Sequence, residues 1–161
     1  MFEPVTYSKN LEEKYEQLCK QGEALLSDEK DQIANLSNVT ALLNQFLDRV
    51  NWVGFYLYKE GELVLGPFQG LPACIRIPIG NGVCGTAAET GRTQVVENVH
   101  KFPGHIACDA ESQSEVVVPI MIDDELFGVL DIDSPDIGRF SEEEGVLLEK
   151  FVQRVVPFIR G

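Results

Sequence analysis

Hydrophobic positions recur at helical spacing near the start and end of the chain and at a spacing of two in between. Residues 9–26 place Leu11, Tyr15, Leu18 and Leu25 on one stripe, with Gly22 weakening the last turn. Ser27 before DEKD reads as an N-cap with acids in the first turn of a second helix. Its stripe carries Ile33, Leu36, Val39, Leu43, Phe46 and Val50. WVGFYLY (52–58), an EG turn and LVLG (63–66) predict a hairpin, and CIRIPI (74–79) a third short strand. GNGVCGTAAETG reads as a loop and short helix, and TQVVENV (93–99) as one short strand. EVVVPIMI (115–122), a DDE turn and LFGVLDID (126–133) predict a second hairpin. Ser141 and Glu144 form a capping-box pattern before a closing helix with the stripe Leu147, Phe151, Val155 and Ile159. Residues 100–114 carry Gly and Pro signals without a period and read as an ordered, irregular loop of the kind that carries function.

Strands bracketed by helices, without repeats or linkers, predict one α+β domain over residues 1–161. Alternation sorts the strands into two faces. Val53, Phe55, Leu57, Val116, Val118, Ile120, Leu130 and Ile132 make an aliphatic face for the helices to cover. Trp52, Gly54, Tyr56, Glu115, Val117, Pro119, Val129, Asp131 and Asp133 make the other. That second face is either a wet sheet surface or a small polar-ligand pocket, and alternation alone leaves both open.

Composition narrows the class. With 161 residues and 44% hydrophobic side chains the chain can bury a core without disulfide staples. Its 26 Asp and Glu against 13 Lys and Arg give a net charge of −13, which repels nucleic acid and anionic membranes and names no substrate. No apolar run reaches the ~18 residues of a membrane span, and MFEPVTYSKN lacks the regions of a signal peptide. A soluble cytoplasmic protein is expected.

The cysteines carry the most information. Cys19 lies in a helical pattern and reads as a small buried hydrophobe, whereas Cys74 opens a strand, Cys84 sits in a Gly-rich turn and Cys108 lies in the irregular loop. His105 and His100 lie near Cys108, yet no CxxC or HxxxH pair is present, so neither a structural metal nor a cofactor is expected. Redox chemistry needs only a nucleophilic thiolate and a second thiol within reach. Gly80, Gly82 and Gly85 spell GxGxxG, but the flanking strands read as antiparallel, so the glycines serve a tight strand-to-helix turn and not a dinucleotide.

From WVGFYL to FSEEE, the order of elements resembles a GAF domain over almost the whole chain. Within that superfamily, GPFQG, PACIRIPIGNGVCGTAA, HIACDAESQSE and GVLDIDSP are similar to the free methionine-(R)-sulfoxide reductases. The GxxGxA turn and GVL strand are general GAF features, while the three cysteines with CDAESQSE and LDIDSP are specific. The resemblance implies a GAF-like antiparallel sheet with N- and C-terminal helices on one face and the ligand pocket on the other. It implies a cytoplasmic enzyme that reduces free L-methionine-(R)-S-oxide and is regenerated by thioredoxin. It implies that Cys108 is the nucleophile, Cys74 the recycling partner and Cys84 auxiliary. Glu115, Asp131 and Asp133 would bind the substrate, with Trp52 near its methyl group. A homodimer is left open. The alternatives are a GAF sensory module for a small effector and an oxidant sensor working through the same thiols.

The chemistry of the residues agrees with those roles. A thiolate attacks sulfur, the oxygen is protonated, and the resulting sulfenic acid condenses with a second thiol. Carboxyls crowded into one pocket raise at least one pKa and keep a proton available, while an ionised partner pairs with the amino group. Trp52 and Tyr56 offer an aromatic surface to a sulfur-bound methyl. Few cationic side chains are at hand for the substrate carboxylate, which makes the backbone N–H groups around Ile106 and Ala107 its candidate partners. Nearby acids oppose a Cys108 thiolate, and His105 is the candidate cation beside it.

Overall fold

The computed structural model describes residues 1–105 and 110–161. Asn10 caps the first helix, α1 (Leu11–Leu26), by accepting from Glu13 N–H at 3.0 Å. The second helix, α2 (Gln32–Phe46), starts later than the Ser27 signal places it. Its N-cap is Asp31, which accepts from Ala34 N–H at 2.9 Å, while Ser27 Oγ donates back to Ala24 O and closes α1. The stripe is also shorter than the periodicity predicts. Leu47 turns extended after Phe46, so Val50 lies beyond α2, and Ile33 is exposed.

Strands β1 (Trp52–Lys59) and β2 (Glu62–Gln69) pair through a turn at Glu60 and Gly61, both with positive φ, which matches the twist of a two-residue hairpin. Strand β3 (Arg76–Pro78) follows, then α3 (Gly82–Thr90), β4 (Gln94–Val96) and a 3₁₀ turn at Val99–Lys101. The second hairpin joins β5 (Ser114–Ile122) to β6 (Glu125–Ser134) through Asp123 and Asp124, both left-handed; Glu125 already belongs to the strand. Helix α4 (Glu142–Ile159) closes the chain.

The strands form one sheet in the order β3-β2-β1-β6-β5-β4, with every pairing antiparallel. Helices α1, α2 and α4 cover the face bearing Val53, Phe55, Leu57, Val116, Val118, Leu130 and Ile132, and together they make the larger core. Gly22 is a packing device: a Cβ there would stand 3.1 Å from the Phe151 ring on α4. The other face is not wet. It carries its own buried cluster, with Trp52, Tyr56, Val117 and Val129 packed under Val83, Ala87 and Ala88 of α3. Among the described residues no helix is long and apolar enough to cross a membrane.

The capping box at α4 forms by half. Ser141 Oγ accepts from Glu144 N–H at 3.0 Å, but the Glu144 side chain turns inward to Arg139 at 2.8 Å and accepts from Tyr15 O–H at 2.6 Å.

Candidate active site

Register brings the three carboxylates together. Glu115 on β5 lies opposite Asp133 on β6, Val117 opposite Asp131, and Trp52 and Gly54 of β1 flank Asp133 and Asp131 on the other side. All three acids are buried, at 8% exposure for Glu115 and Asp133 and 6% for Asp131. Asp131, Glu115 and Ser112 all act on the Asp133 carboxyl from close range. Burial, and then the charge of Asp131, push Glu115 and Asp133 well above the ordinary carboxylate range, which favours the protonated form of each. Asp131 Oδ1 and Asp133 Oδ1 are buried without a hydrogen-bond partner among the described residues. Such atoms are costly to leave unpaired and mark a place for a ligand.

The first turn of α3 roofs this cluster. GNGVCG makes a strand-to-helix turn in which Gly80 N–H donates to Gly85 O at 2.9 Å, and a Cβ on Gly85 would stand 2.6 Å from Pro78 O. With β3 antiparallel to β2, these glycines serve the turn and not a dinucleotide. The turn sets Cys84 inside the helix, buried, with Sγ 4.0 Å from Glu115 Oε2. Burial and the neighbouring carboxylates push the Cys84 thiol well up, so it stays a thiol. Asn81, Gly82, Val83, Tyr56, Ile77, His105 and Ser112 complete the lining of a small cavity with Cys84 and the three acids.

The aromatic side of the site is rigid. Trp52 stacks on Phe68 at 5.2 Å and on Tyr56 at 5.9 Å between ring centroids, and its indole N–H donates to Leu71 O at 3.1 Å. A Cβ on Gly54 would fall 2.7 Å from the indole, so this position needs glycine to let the ring lie across the sheet. Tyr56 O–H donates to Cys74 O at 2.9 Å, tying the aromatic face to the segment ahead of β3.

Cys74 is disulfide-bonded, while Cys19 and Cys84 carry free thiols. Cys108, Ile106 and Ala107 lie outside the described residues. His105, the expected cation, has its pKa pushed down by burial and by His100, which disfavours a standing positive charge. Ser112 escaped the sequence reading: it is buried, lines the cavity, and accepts from Asn51 Nδ2 at 3.2 Å. A serine in an aperiodic stretch carries no pattern by which to single it out.

Residues 31–156 match the GAF domain family. Protein YtsP of Bacillus subtilis is 56% identical over 155 residues, spanning 95% of each chain. A free methionine-R-sulfoxide reductase of Escherichia coli is 48% identical over 146 residues, spanning 91% of this chain and 88% of that protein. The X-ray structure of a free methionine-R-sulfoxide reductase from Neisseria meningitidis in complex with its substrate superposes with a TM-score of 0.92 at 40% identity, covering 99% of this chain and 96% of the other.

Proposed function

The chain belongs to the GAF domain family and, within it, to the free methionine-R-sulfoxide reductases, and from that premise we propose how its residues carry out the reduction. The substrate is free methionine-(R)-sulfoxide, and the enzyme is a thiol-dependent oxidoreductase. The observation that carries the reading is the buried trio of Glu115, Asp131 and Asp133 beneath α3, with burial pushing two of its members towards the protonated form.

In this reading Cys108 attacks the sulfoxide sulfur as a thiolate. The sulfoxide oxygen takes a proton from the neutral Glu115 or Asp133 and passes to the cysteine, releasing methionine and leaving Cys108 as a sulfenic acid. Cys74 then condenses with the sulfenic acid, expelling water and forming a disulfide that thioredoxin reduces through thiol–disulfide exchange. The disulfide-bonded state of Cys74 supports its role as recycling partner. Cys84, held as a thiol beside Glu115, does not attack; it is auxiliary, shaping the pocket and keeping a donor near the carboxyls.

Asp131 pairs with the substrate ammonium, and the backbone around Ile106 and Ala107 holds its carboxylate. Tyr56 and the Trp52 stack provide the apolar wall for the methyl group. A cytoplasmic setting, where thioredoxin keeps thiols reduced, fits this cycle. The test is turnover of the separated R and S epimers of free methionine sulfoxide with thioredoxin, thioredoxin reductase and NADPH. Consumption of the R epimer alone is expected, and no turnover of either epimer would overturn the reading.

A further inference from the structure

No pair of metal ligands is closely spaced in the sequence, yet the fold assembles a ligand set from three separate elements. Cys84 Sγ from α3, a Glu115 oxygen from β5 and an Asp131 oxygen from β6 lie within 4.8 Å of one another, all buried. A tetrahedral zinc, with bonds of about 2.3 Å to sulfur and 2.0–2.2 Å to oxygen, sets its ligand atoms roughly 3.4–3.6 Å apart. The Cys84 Sγ to Glu115 Oε2 distance of 4.0 Å therefore needs only a modest contraction.

A second observation points the same way. Asp131 Oδ1 and Asp133 Oδ1 are buried without a hydrogen-bond partner among the described residues, and both acids line the same cavity. Oxygens in this state are satisfied either by a donor on a ligand or by a cation. We propose that Cys84, Glu115 and Asp131 form a site for a borderline-soft divalent cation, Zn²⁺ in the first place, and that the ion blocks the pocket against methionine sulfoxide. The sulfur sets the selectivity: Cys84 and Glu115 release their protons as the ion binds, and the resulting thiolate with two carboxylates favours Zn²⁺ or Co²⁺ over Mg²⁺, which takes oxygen ligands in octahedral geometry. The ion takes two oxygens that the reduction needs, so binding and catalysis are mutually exclusive. The binding rests on the geometry alone; only the blocking rests on the proposed function.

Co²⁺ is the probe, because a thiolate–cobalt bond gives a near-ultraviolet charge-transfer band that oxygen ligands do not. The full chain is titrated with Cys74 kept in its disulfide, so that Cys19 and Cys84 are the free thiols among the described residues. The band is expected in the unmodified chain and in Cys19→Ser, is lost in Cys84→Ser, and is bleached by Zn²⁺ at one ion per chain. Glu115→Gln and Asp131→Asn should weaken binding by at least the roughly 10–100-fold that loss of an outer-shell partner costs. Saturating methionine sulfoxide should raise the apparent Kd for Co²⁺.

A band that survives in Cys84→Ser, no band in the unmodified chain, or displacement of Co²⁺ by Mg²⁺ as readily as by Zn²⁺ overturns the site. Absence of competition by methionine sulfoxide overturns the blocking. Should Cys84→Ser fail to fold, Mg²⁺ against Zn²⁺ displacement on the unmodified chain carries the test. Because turnover is not the readout, an active reductase without the band sinks this site alone, and an inactive chain with the band sinks only the reductase reading.

Discussion

Glu115 and Asp133 are register partners on the two longest strands of the sheet, and burial beside Asp131 pushes both carboxyls well above their ordinary range. Among the described residues neither acid has a salt-bridge partner. Buried acids of raised pKa are suited to proton donation, and the cost of burying them is borne by the packing around them.

Carboxyls of raised pKa at this position should be rate-critical. Glu115→Gln and Asp133→Asn preserve shape and can still donate a hydrogen bond, but they deliver no proton. Each should lower kcat by about 10²–10⁴-fold, the usual worth of general-acid assistance. Asp131→Asn should act mainly on KM through the substrate ammonium. Near-normal kcat in both Glu115→Gln and Asp133→Asn would leave the trio without a catalytic role.

The same pKa shifts set a stability profile. A folded pKa raised above the unfolded value contributes stability that is complete below the unfolded pKa and is lost as pH rises towards the folded one. The ordinary values are 4.5 for glutamate and 3.8 for aspartate, so the loss begins near pH 4. At neutral pH the unfolded chain ionises both groups more readily than the folded chain does. Glu115→Gln should therefore melt higher than the unmodified chain at pH 7, and the gap should narrow at pH 4. Thermal unfolding across that range checks the sign; a gap that widens at low pH contradicts it.

Much of this site was legible before the structure. Alternation alone put Trp52, Tyr56, Glu115, Asp131 and Asp133 on one face and the aliphatic residues on the other, because side-chain direction in a strand is fixed by parity. Parity does not say what covers a face, so it could not choose between wet surface and pocket; α3 decides that by packing through Val83 and Ala87. Cap positions were less legible. Ser27 and Asp31 both have N-cap chemistry, and only the path of the chain between α1 and α2 makes one the end of a helix and the other a beginning. Glu144 was read as a local cap, whereas its partners Tyr15 and Arg139 come from distant and irregular parts of the chain.

The cysteines should separate by turnover number. Cys108→Ser should give no methionine even in a single turnover, since the attacking sulfur is gone. Cys74→Ser should give one equivalent and then stop with thioredoxin as reductant, because the sulfenic acid has lost its partner. Stoichiometric methionine from Cys108→Ser would overturn the assignment of the nucleophile.

A pocket that reads both charged ends of an amino acid should reject a substrate that lacks them. Blocking the amino group leaves Asp131 buried without its ion partner, and buried polar groups left unpaired can cost selectivity by a factor of about 10⁴–10⁵. The N-acetyl amide of methionine sulfoxide is therefore expected to be turned over far more slowly than the free amino acid. Comparable kcat/KM for the two would show that neither end is recognised.

The last prediction concerns the framework and uses residues away from the carboxylates. Arg139 and Glu144 form an ion pair at 2.8 Å with side chains only 5% and 7% exposed, and Tyr15 O–H donates to the other oxygen of Glu144. Arg139 also reaches the exposed Asp48 and stacks over Phe140, so one guanidinium joins the segment after β6 to α4 and to the chain end of α2. The Asp48 arm is screened by water and contributes little. The buried arm differs: Arg139→Met would take from Glu144 its buried cation and leave Tyr15 as its side-chain partner among the described residues. Breaking a buried pair in this way typically costs about 3–5 kcal/mol, which for a domain of this size lowers Tm by on the order of 10 °C. Adding Glu144→Gln removes the orphaned charge, so the double variant should recover a large part of the loss, and a double-mutant cycle gives the coupling directly. The kinetics of both variants at a temperature where they are folded should stay close to normal, because neither side chain lines the cavity. If Arg139→Met melts within a degree or two of the unmodified chain, the buried pair is not what anchors α4 to the sheet.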